Sequence, residues 1–350
     1  MQSVQSVQSV QSVQSVQSVQ SVQSVQSVVH KKMRRLIVFS DPGGAKPCLS
    51  LAKKWQQSDE LLVCSDRRYG FFETFGIPVR QCRGEDAQAI FQEFRPDSLF
   101  TGTSYTSRIE LDFVREAAKR GIPSASFVDH YTGFDVRFGT AEARILPNEI
   151  HVLDEKAAAL AREAGLPESR IRITGNPYHE FLGSWRSRLT KEEVFQQLGI
   201  PVSEAKTILF APDPLSNAGG VEKFGTDEVA ILGLLLEALG EIGKQIQLLI
   251  KAHPNQSMEH LKTGLKNLPR NVEVHLVPSE KDALLNDLIQ HADLAAGMFS
   301  SLLIEAELLG AKTLRIMCGI TIPDPLAGQS AGPVLTERSL VSSALQTFIY

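Results

Sequence analysis

Several features of specialised protein classes are absent from this sequence of 350 residues. Its four cysteines form no C-x-x-C pair, which argues against a disulfide framework and a thiolate zinc site. No apolar run approaches the roughly 18 residues of a membrane-spanning helix. Acidic residues (40) slightly outnumber basic ones (36), which argues against nucleic acid as a partner. The composition predicts a soluble globular protein of the cytoplasm, where thiols stay reduced.

The sequence also lacks the short motifs of several enzyme classes. It contains neither G-x-G-x-x-G nor G-x-x-x-x-G-K-[ST], the phosphate loops of dinucleotide-binding and P-loop proteins. It has no H-E-x-x-H and no Asp-x-Asp. We therefore expect no metal, no cofactor and no metal-dependent handling of a nucleotide diphosphate.

A low-complexity segment occupies residues 1–32. From Gln2 to Val28 the triplet Gln-Ser-Val repeats nine times without a charge. A period of three matches neither a helix nor a strand, so we expect a disordered tail. The basic cluster 30–35 that follows is expected either to be a solvated strand flank or to contact anionic lipid at the inner face of a membrane.

From residue 33 onward, short apolar runs alternate with amphipathic helical stretches. This alternation is typical of βαβ units and parallel sheets. Two series of such units predict an α/β protein with two Rossmann-like, doubly wound domains that face a cleft. We expect the first domain over residues 33–175 and the second over 176–330. Residues 331–350 are expected to form a C-terminal helix that packs back on the first domain.

Polar residues gather where the predicted strands end, and ligands of doubly wound sheets bind at that edge. Both halves of the chain contribute to this group, which predicts an active site in the cleft. The residues concerned are Asp41, Asp129, His130, Asn176, Asp213, His253, Ser300 and Ser301.

The strongest candidate in the second half is the segment from Gly297 to Ser301, which precedes a predicted helix. Free N–H groups, a partial positive charge and the hydroxyls of Ser300 and Ser301 suit a phosphate at that helix start. Glu305 lies four residues after Ser301, on the same helical face, where its carboxylate could accept hydrogen bonds from a ribose diol. The alternative is an ordinary helix cap with a solvated Glu305.

The segment Lys251-Ala-His253-Pro254 follows another predicted strand. Proline disfavours a helical conformation of His253 and so fixes the direction of the chain. The imidazole could then donate to, or protonate, a leaving-group phosphate, with Lys251 beside it as a nucleotide-binding residue. The alternative is a histidine in an ordinary turn.

Two loops add further candidates. The loop from Asp213 to Gly220 could close over a phosphate, or it is an idle surface loop. Asn176, near the crossover between the domains, belongs to a hinge or to a sugar-contacting loop.

In the first half, Asp129 and His130 follow an apolar strand and could take a proton from an acceptor hydroxyl. A loop carboxylate that merely caps the next element is the alternative. Asp41, Gly43 and Gly44 are expected to form a backbone turn that lets the donor or the acceptor approach the first helix closely. A purely structural turn is the alternative there.

These segments resemble the GT-B glycosyltransferase superfamily over roughly residues 34–325. The resemblance is carried by Gly175-Asn-Pro177, Lys251-Ala-His-Pro254, Gly297-Met-Phe-Ser-Ser301 and Glu305-Ala306. The His-Pro and Ser-Ser pairs are similar to those of bacterial sialyltransferases, polysialyltransferases and glycerophosphotransferases of the teichoic-acid type. The second half is also similar to UDP-N-acetylglucosamine 2-epimerases, which share the fold.

The resemblance implies a nucleotide sugar in the second domain and a glycan or lipid-linked acceptor in the first. It implies that His253 assists departure of the nucleotide, that Ser300 and Ser301 hold its phosphate, and that Glu305 holds its ribose. The sialyltransferases carry an acidic pair followed by glycine as the base motif. Here the matching segment, Asp129-His-Tyr-Thr-Gly133, has one acid and no adjacent glycine.

The sequence thus predicts a metal-independent glycosyltransferase of cell-surface polysaccharide synthesis that uses a nucleotide-activated sugar. A UDP-N-acetylhexosamine 2-epimerase-like enzyme and a non-catalytic nucleotide-binding module are the alternatives.

Overall fold

The structure, a computed structural model, describes residues 32–140, 143–253 and 256–350. The Gln-Ser-Val repeat lies outside these ranges, so the expected disorder of the tail stays a prediction. Within the basic cluster, Arg35 forms an ion pair with Asp59, and its guanidinium lies 4.5 Å from the centre of the Trp55 ring. That charge is satisfied inside the protein, and the lipid contact expected for residues 30–35 stays a prediction.

The first sheet has seven strands, β1 (Arg34–Phe39), β2 (Glu60–Ser65), β3 (Arg80–Gln81), β4 (Ser98–Thr101), β5 (Ser124–Phe127), β6 (Glu149–Val152) and β7 (Ile171–Ile173). They lie parallel in the order β3-β2-β1-β4-β5-β6-β7. Residues 36–39 of the central strand β1 are fully buried. Successive side chains point to opposite faces of a sheet, so this apolar run indicates that both faces are covered.

The second sheet has six strands, β8 (Lys206–Ala211), β9 (Ile246–Ile250), β10 (Val272–Leu276), β11 (Leu294–Gly297), β12 (Thr313–Ile316) and β13 (Val334–Leu335). They are also parallel, in the order β10-β9-β8-β11-β12-β13. In both sheets the order reverses beside the first strand, and a doubly wound sheet binds its ligand at such a point.

Helices connect the strands. In the first half they are α1 (Pro42–Trp55), α2 (Phe72–Phe75), α3 (Ala87–Phe94), α4 (Ile109–Lys119) and α5 (Glu155–Glu163). Two helices, α6 (Pro177–Ser184) and α7 (Lys191–Leu198), lead from the first sheet to the second. The second half contains α8 (Gly220–Phe224), α9 (Glu228–Gly240), α10 (Met258–Thr263), α11 (Leu285–His291), α12 (Ser301–Leu308) and α13 (Val341–Ile349).

Helix α1 begins at Pro42, and only Ser40 and Asp41 separate it from β1. The expected turn at Gly43 and Gly44 is therefore wrong. Proline is favoured in a first helical turn, where its missing N–H would have no partner. Gly43 and Gly44 belong to the helix itself. Helix α7 begins with a capping box, since Thr190 and Glu193 each accept a hydrogen bond from the other's backbone N–H.

One of the apolar clusters of the protein contains residues of both sheets. It contains Ile37 and Phe39 of β1 together with Leu209 of β8 and Leu249 of β9. Helix α6 contacts both α1 and α12, and so fills the junction between the halves. Helix α1 of the first domain therefore lies next to elements of the second.

The C-terminal residues belong to the second domain. Strand β13 pairs with β12, and α13 packs on α9. Val341, Leu345 and Ile349 recur every four residues along one helical face and are buried in the core of the second sheet. The expectation that residues 331–350 pack back on the first domain is therefore wrong, because this apolar face is covered by α9.

The architecture confirms the predicted fold class, which is two Rossmann-like parallel-sheet domains arranged as in GT-B proteins. Across the part of the chain that the structure describes, no helix combines the length and the apolar character that crossing a membrane requires.

Candidate functional site

The two domains meet at the start of helix α1. Lys46 on α1 donates to both carboxylate oxygens of Glu305 on α12, at 2.7 and 2.8 Å. One turn earlier, Gly43 lies against Asp129, because a Cβ at residue 43 would come within 1.8 Å of Asp129 Oδ2. Residues 43 and 46 are about 4.5 Å apart along the helix axis. An acid of each domain is thus brought to the same end of α1.

The Lys46–Glu305 pair is largely buried, with side-chain exposures of 22% and 8%. Burial alone would lower the pKa of the Lys46 ammonium, but the charge of Glu305 and its hydrogen bonds outweigh burial and the pKa is raised. The ammonium also lies 4.8 Å from the centre of the Tyr178 ring, a cation–π contact. Lys46 is therefore a permanent cation that holds Glu305 in place. The ribose contact of Glu305 stays a prediction.

The start of α12 forms the polar edge of the second sheet. Ser300 caps the helix, with its hydroxyl accepting from the N–H of Leu302 at 3.4 Å, and Ser301 is exposed. Gly297 ends β11 and permits a close approach, because a Cβ there would lie 2.7 Å from the carbonyl oxygen of Ala211. Hydroxyls and N–H groups thus meet at this edge. The phosphate contact of Gly297, Ser300 and Ser301 stays a prediction.

Asp213 lies beside the same turn, two residues after β8. Its Oδ2 accepts a hydrogen bond from the N–H of Phe299 at 3.0 Å. Burial raises the pKa of the Asp213 carboxyl to about 7, against the opposing effects of the Phe299 and Ser300 N–H groups and of Arg315. Asp213 therefore borders the position expected for a phosphate.

The loop that follows Asp213 is anchored by a buried acid. Glu228, in the first turn of α9, is fully buried and accepts from the Ser216 N–H at 2.9 Å and from the Ser216 hydroxyl. The side-chain amide of Gln256 donates to the same carboxylate at 2.6 Å. These bonds attach the loop to α9, and its closure over a phosphate stays a prediction.

At the end of β9, the ammonium of Lys251 is buried and lies 3.1 Å from the carboxylate of Asp282. It also donates to the carbonyl of Ala252 at 3.2 Å. Burial, and then the charge of Lys251, lowers the pKa of His253, which favours the neutral imidazole. Pro254 lies outside the described residues. The nucleotide contacts of Lys251 and His253 stay predictions.

In the first domain, Asp129 is oriented by a buried arginine. Arg137 Nη1 lies 2.8 Å from Asp129 Oδ1 and donates to the carbonyl and hydroxyl oxygens of Thr103 at 3.1 and 2.9 Å. The guanidinium also lies 4.4 Å from the centre of the Tyr105 ring. Asp129 thus has one oxygen bound to Arg137 and the other at the start of α1. Its role as a base stays a prediction.

Gly44 lets α1 cross the end of β4 at backbone contact. A Cβ at Gly44 would come within 3.0 Å of Gly102 Cα, and one at Gly102 within 2.9 Å of Gly44 Cα. The space beside Gly43 and Gly44 is therefore filled by the protein's own atoms, and a ligand contact at these glycines stays a prediction.

Asp41 joins the loops after β2 and β4. Its Oδ1 accepts from Arg67 at 2.9 Å and from the Thr106 hydroxyl at 2.8 Å, and its Oδ2 accepts from the Tyr105 N–H at 3.2 Å. Both oxygens are engaged in ordering the rim of the cleft. The contact with substrate expected for Asp41 stays a prediction.

Behind Asp41 lies a buried acid that is absent from the sequence-based candidates. Glu110, in the first turn of α4, accepts from the Ser40 N–H at 3.0 Å and from the Ser104 hydroxyl at 2.9 Å. Burial raises the pKa of its carboxyl to about 7, with contributions from the charges of Asp41 and Asp66. Glu110 therefore exchanges its proton near neutral pH beneath the first-domain edge.

The remaining two candidates lie at the margin. His130 is exposed, with its Nδ1 2.8 Å from the Thr132 hydroxyl, and partial burial lowers its pKa. Asn176 caps α6, since its side-chain oxygen accepts from the Tyr178 N–H at 3.0 Å. The cap is a structural role, and the hinge or sugar contact of Asn176 stays a prediction.

Two residues of the site that are not among the sequence-based candidates can nevertheless be recognised in the sequence. Lys46 and Glu110 each occupy the apolar stripe of a helix, and Glu110 shares its face with Phe113 and Val114. A charge on a buried stripe marks a residue that needs a partner elsewhere in the fold. Arg137 leaves no such signal, because it lies in a loop without periodicity.

No protein-family model matches this sequence, and a search of curated proteins finds no match either. Solved structures do resemble it. The UDP-GlcNAc 2-epimerase from Neisseria meningitidis bound to UDP-GlcNAc superposes with a TM-score of 0.63 at 15% identity, over 91% of each chain. The UDP-GlcNAc 2-epimerase from Methanocaldococcus jannaschii gives 0.60 at 15% identity, over 91% of this chain and 93% of that one.

HepE from Anabaena, solved in complex with UDP-glucose, is also similar. Its TM-score is 0.57 at 15% identity, over 90% of this chain and 89% of that chain. The similarity extends over both domains in all three cases. At such identities the comparison establishes a shared fold alone.

Proposed function

We propose that the protein is a glycosyltransferase that moves a sugar from a UDP-activated donor to a glycan or lipid-linked acceptor in polysaccharide synthesis. The observation that carries the proposal is the meeting of Asp129 and Glu305 at one end of α1, against Gly43 and Lys46. The acid proposed for the acceptor and the acid proposed for the nucleotide thus contact α1 at positions about one helical turn apart. We place the reaction in the cytoplasm, where buried free thiols are stable.

The donor lies at the second sheet. The N–H groups at the start of α12, with the hydroxyls of Ser300 and Ser301, bind the diphosphate. Glu305, held by Lys46, accepts from the ribose diol. Charge builds on the departing diphosphate in the transition state, and the helix start and the imidazole of His253 stabilise it. The UDP-sugars in similar solved structures support uridine as the nucleoside of the donor.

The acceptor lies at the first sheet. Asp129 takes the proton of the attacking hydroxyl through Oδ2, while Arg137 holds Oδ1 and keeps the carboxylate oriented. His130 is the second candidate base, since its lowered pKa makes the neutral imidazole available.

The test is release of UDP from UDP-glucose and UDP-GlcNAc, with and without an oligosaccharide acceptor. We expect release that depends on the acceptor and that falls at least about a hundredfold in Asp129→Asn, with UDP affinity retained. The matched control is Asp135→Asn, which neutralises an exposed acid six residues away. Acceptor-dependent release at the full rate in Asp129→Asn contradicts the role of Asp129. UDP binding without any turnover supports instead a non-catalytic module.

A UDP-N-acetylhexosamine 2-epimerase is the second candidate, supported by the epimerases among the similar structures. Inversion at carbon 2 requires a proton to leave that carbon and another to return on the opposite face, and Asp129 and His130 could exchange it. Incubation of UDP-GlcNAc in D2O without acceptor separates the two functions. An epimerase incorporates deuterium at carbon 2, whereas a glycosyltransferase leaves that position protonated.

A further inference from the structure

Asp213 occupies an unusual place for a carboxylate. Its Oδ2 lies 3.0 Å from the N–H of Phe299, in the turn that leads into α12. The same turn supplies the N–H groups that bind the diphosphate in the proposed function. An ionised Asp213 and a bound diphosphate would therefore place like charges side by side, and they would repel each other unless one moved or took up a proton.

The charged neighbours of Asp213 do not remove this repulsion, because burial outweighs the effect of Arg315 and the charge of Glu228 opposes it. Arg315 of β12 donates to the carbonyl of Met298 at 2.9 Å and forms a bidentate ion pair with Asp324. Its positive charge is therefore already paired with a carboxylate. Glu228 of α9 adds a second negative charge, satisfied by Ser216 and Gln256.

The adjoining strand β9 ends in two more titratable groups. Lys251 is paired with Asp282, and the lowered pKa of His253 keeps that imidazole neutral at and above neutral pH. The Asp213 carboxyl, whose pKa is raised to about 7, therefore exchanges its proton near neutral pH beside a neutral imidazole.

We propose that Asp213 binds the UDP-sugar in its protonated form, donating its carboxyl hydrogen to a phosphate oxygen at the start of α12. The inference rests on the proposed function and adds to it that binding takes up a proton. The balance is simple: below neutral pH the carboxyl already carries the hydrogen, and above it one proton enters from solvent with each molecule of UDP-sugar. The protonated carboxyl of Asp213 thus binds a phosphate oxygen, whereas an ionised carboxylate at the same place would repel it.

The probe is UDP-glucose, whose diphosphate is a diester without a titration near neutral pH. We expect its Kd for the full chain to be constant below about pH 7 and to rise up to tenfold per pH unit above it. Calorimetry at pH 8 in two buffers of different ionisation enthalpy should register uptake approaching one proton per site. Asp213→Asn, which keeps an oxygen for the Phe299 N–H, should flatten the pH profile and abolish the proton uptake.

The matched control is Asp293→Asn. Asp293 accepts from the backbone N–H of Thr207 at 2.9 Å, as Asp213 does from Phe299, but at the opposite edge of the same sheet. Like Asp213→Asn, Asp293→Asn keeps an oxygen for the backbone N–H, and it should leave the pH profile unchanged. Glu110 also titrates near neutral pH, and Asp213→Asn leaves it intact.

A slope that persists in Asp213→Asn therefore belongs to another group and overturns the proposal, as does a flat profile in the parent protein. Absence of UDP-glucose and UDP-GlcNAc binding at pH 6 would instead overturn the proposed function itself. Binding at pH 6 without proton uptake at pH 8 overturns only the role of Asp213.

Discussion

The ammonium of Lys46 lies 2.7 Å from the Glu305 carboxylate, and this contact joins helices from the two halves of the chain, 259 residues apart. Helix α1 also carries an exposed pair with α6, between Lys54 and Glu180 at 2.9 Å. Helix α1 thus carries one buried and one exposed ion pair to neighbouring helices. The contributions of the two pairs to the free energy of unfolding can therefore be compared within one protein.

Lys46→Met should destabilise the protein by about 3 kcal/mol, because it leaves the Glu305 carboxylate buried without its cation. Lys54→Met should cost no more than about 1 kcal/mol, since an exposed pair gains little in water. Urea unfolding of both variants checks the difference. Equal losses would mean that Glu305 finds another partner or becomes protonated.

Gly43→Ala should reduce turnover strongly while Gly233→Ala does not. The Cβ at residue 43 would collide with Asp129 Oδ2, whereas nothing lies within 4 Å of a Cβ at residue 233 in helix α9. At position 233 the alanine should stabilise the helix by about 0.5–1 kcal/mol. Steady-state rates with a UDP-sugar, together with melting temperatures, separate displacement of Asp129 from a general loss of folding. An unimpaired Gly43→Ala enzyme would remove Asp129 from the mechanism.

Ser300→Ala should lower UDP affinity as well as stability. The hydroxyl caps α12 in the free protein, so its loss should cost about 1 kcal/mol in unfolding free energy. Thr190→Ala removes the cap of α7, which packs on α11. It should cost a similar amount without changing the Kd for UDP. Unchanged UDP affinity in Ser300→Ala would place the phosphate elsewhere.

Glu110 should make the folded protein less stable as pH rises. Its pKa is raised to about 7 from a model-peptide value of 4.5, so the folded state holds the proton more tightly than the unfolded state. Its contribution is fully present below about pH 4.5 and is lost as pH rises through about 7, a change of about 3 kcal/mol.

The measurement is urea unfolding of the parent protein and of Glu110→Gln between pH 4.5 and 8. Other carboxyls have lowered pKa values and oppose this trend, among them those of Asp293 and Asp324, so the difference between the two proteins is the quantity of interest. The advantage of the parent protein over Glu110→Gln should shrink with rising pH. A constant difference would mean that Glu110 stays in one protonation state throughout.

The periodicity of the sequence was sufficient for the strands and for most helices. The apolar run 36–39 and the capping box at Thr190 depend on neighbouring residues alone, and such local patterns survive in the fold. The start of α1 was misjudged because Gly43 and Gly44 are typical of turns. Their place in a helix depends on Asp129 and Gly102, which lie on other elements.

The C-terminal segment illustrates the same limit. The spacing of Val341, Leu345 and Ile349 indicates an apolar helical face but not the surface that covers it. Which domain provides that surface depends on the length of β13 and its pairing with β12, a long-range contact.

The sequence by itself determined the alternation of strands and helices, the two-domain parallel fold and the gathering of polar residues at the ends of strands. Local pattern suffices for these, because burial and backbone hydrogen bonding impose fixed periods on each element. Only the tertiary structure decided that Lys46 neutralises Glu305, that Arg137 orients Asp129, and that Asp213 lies against the turn before α12. Each of these contacts joins residues of different elements, and their partners are selected by packing and charge in three dimensions.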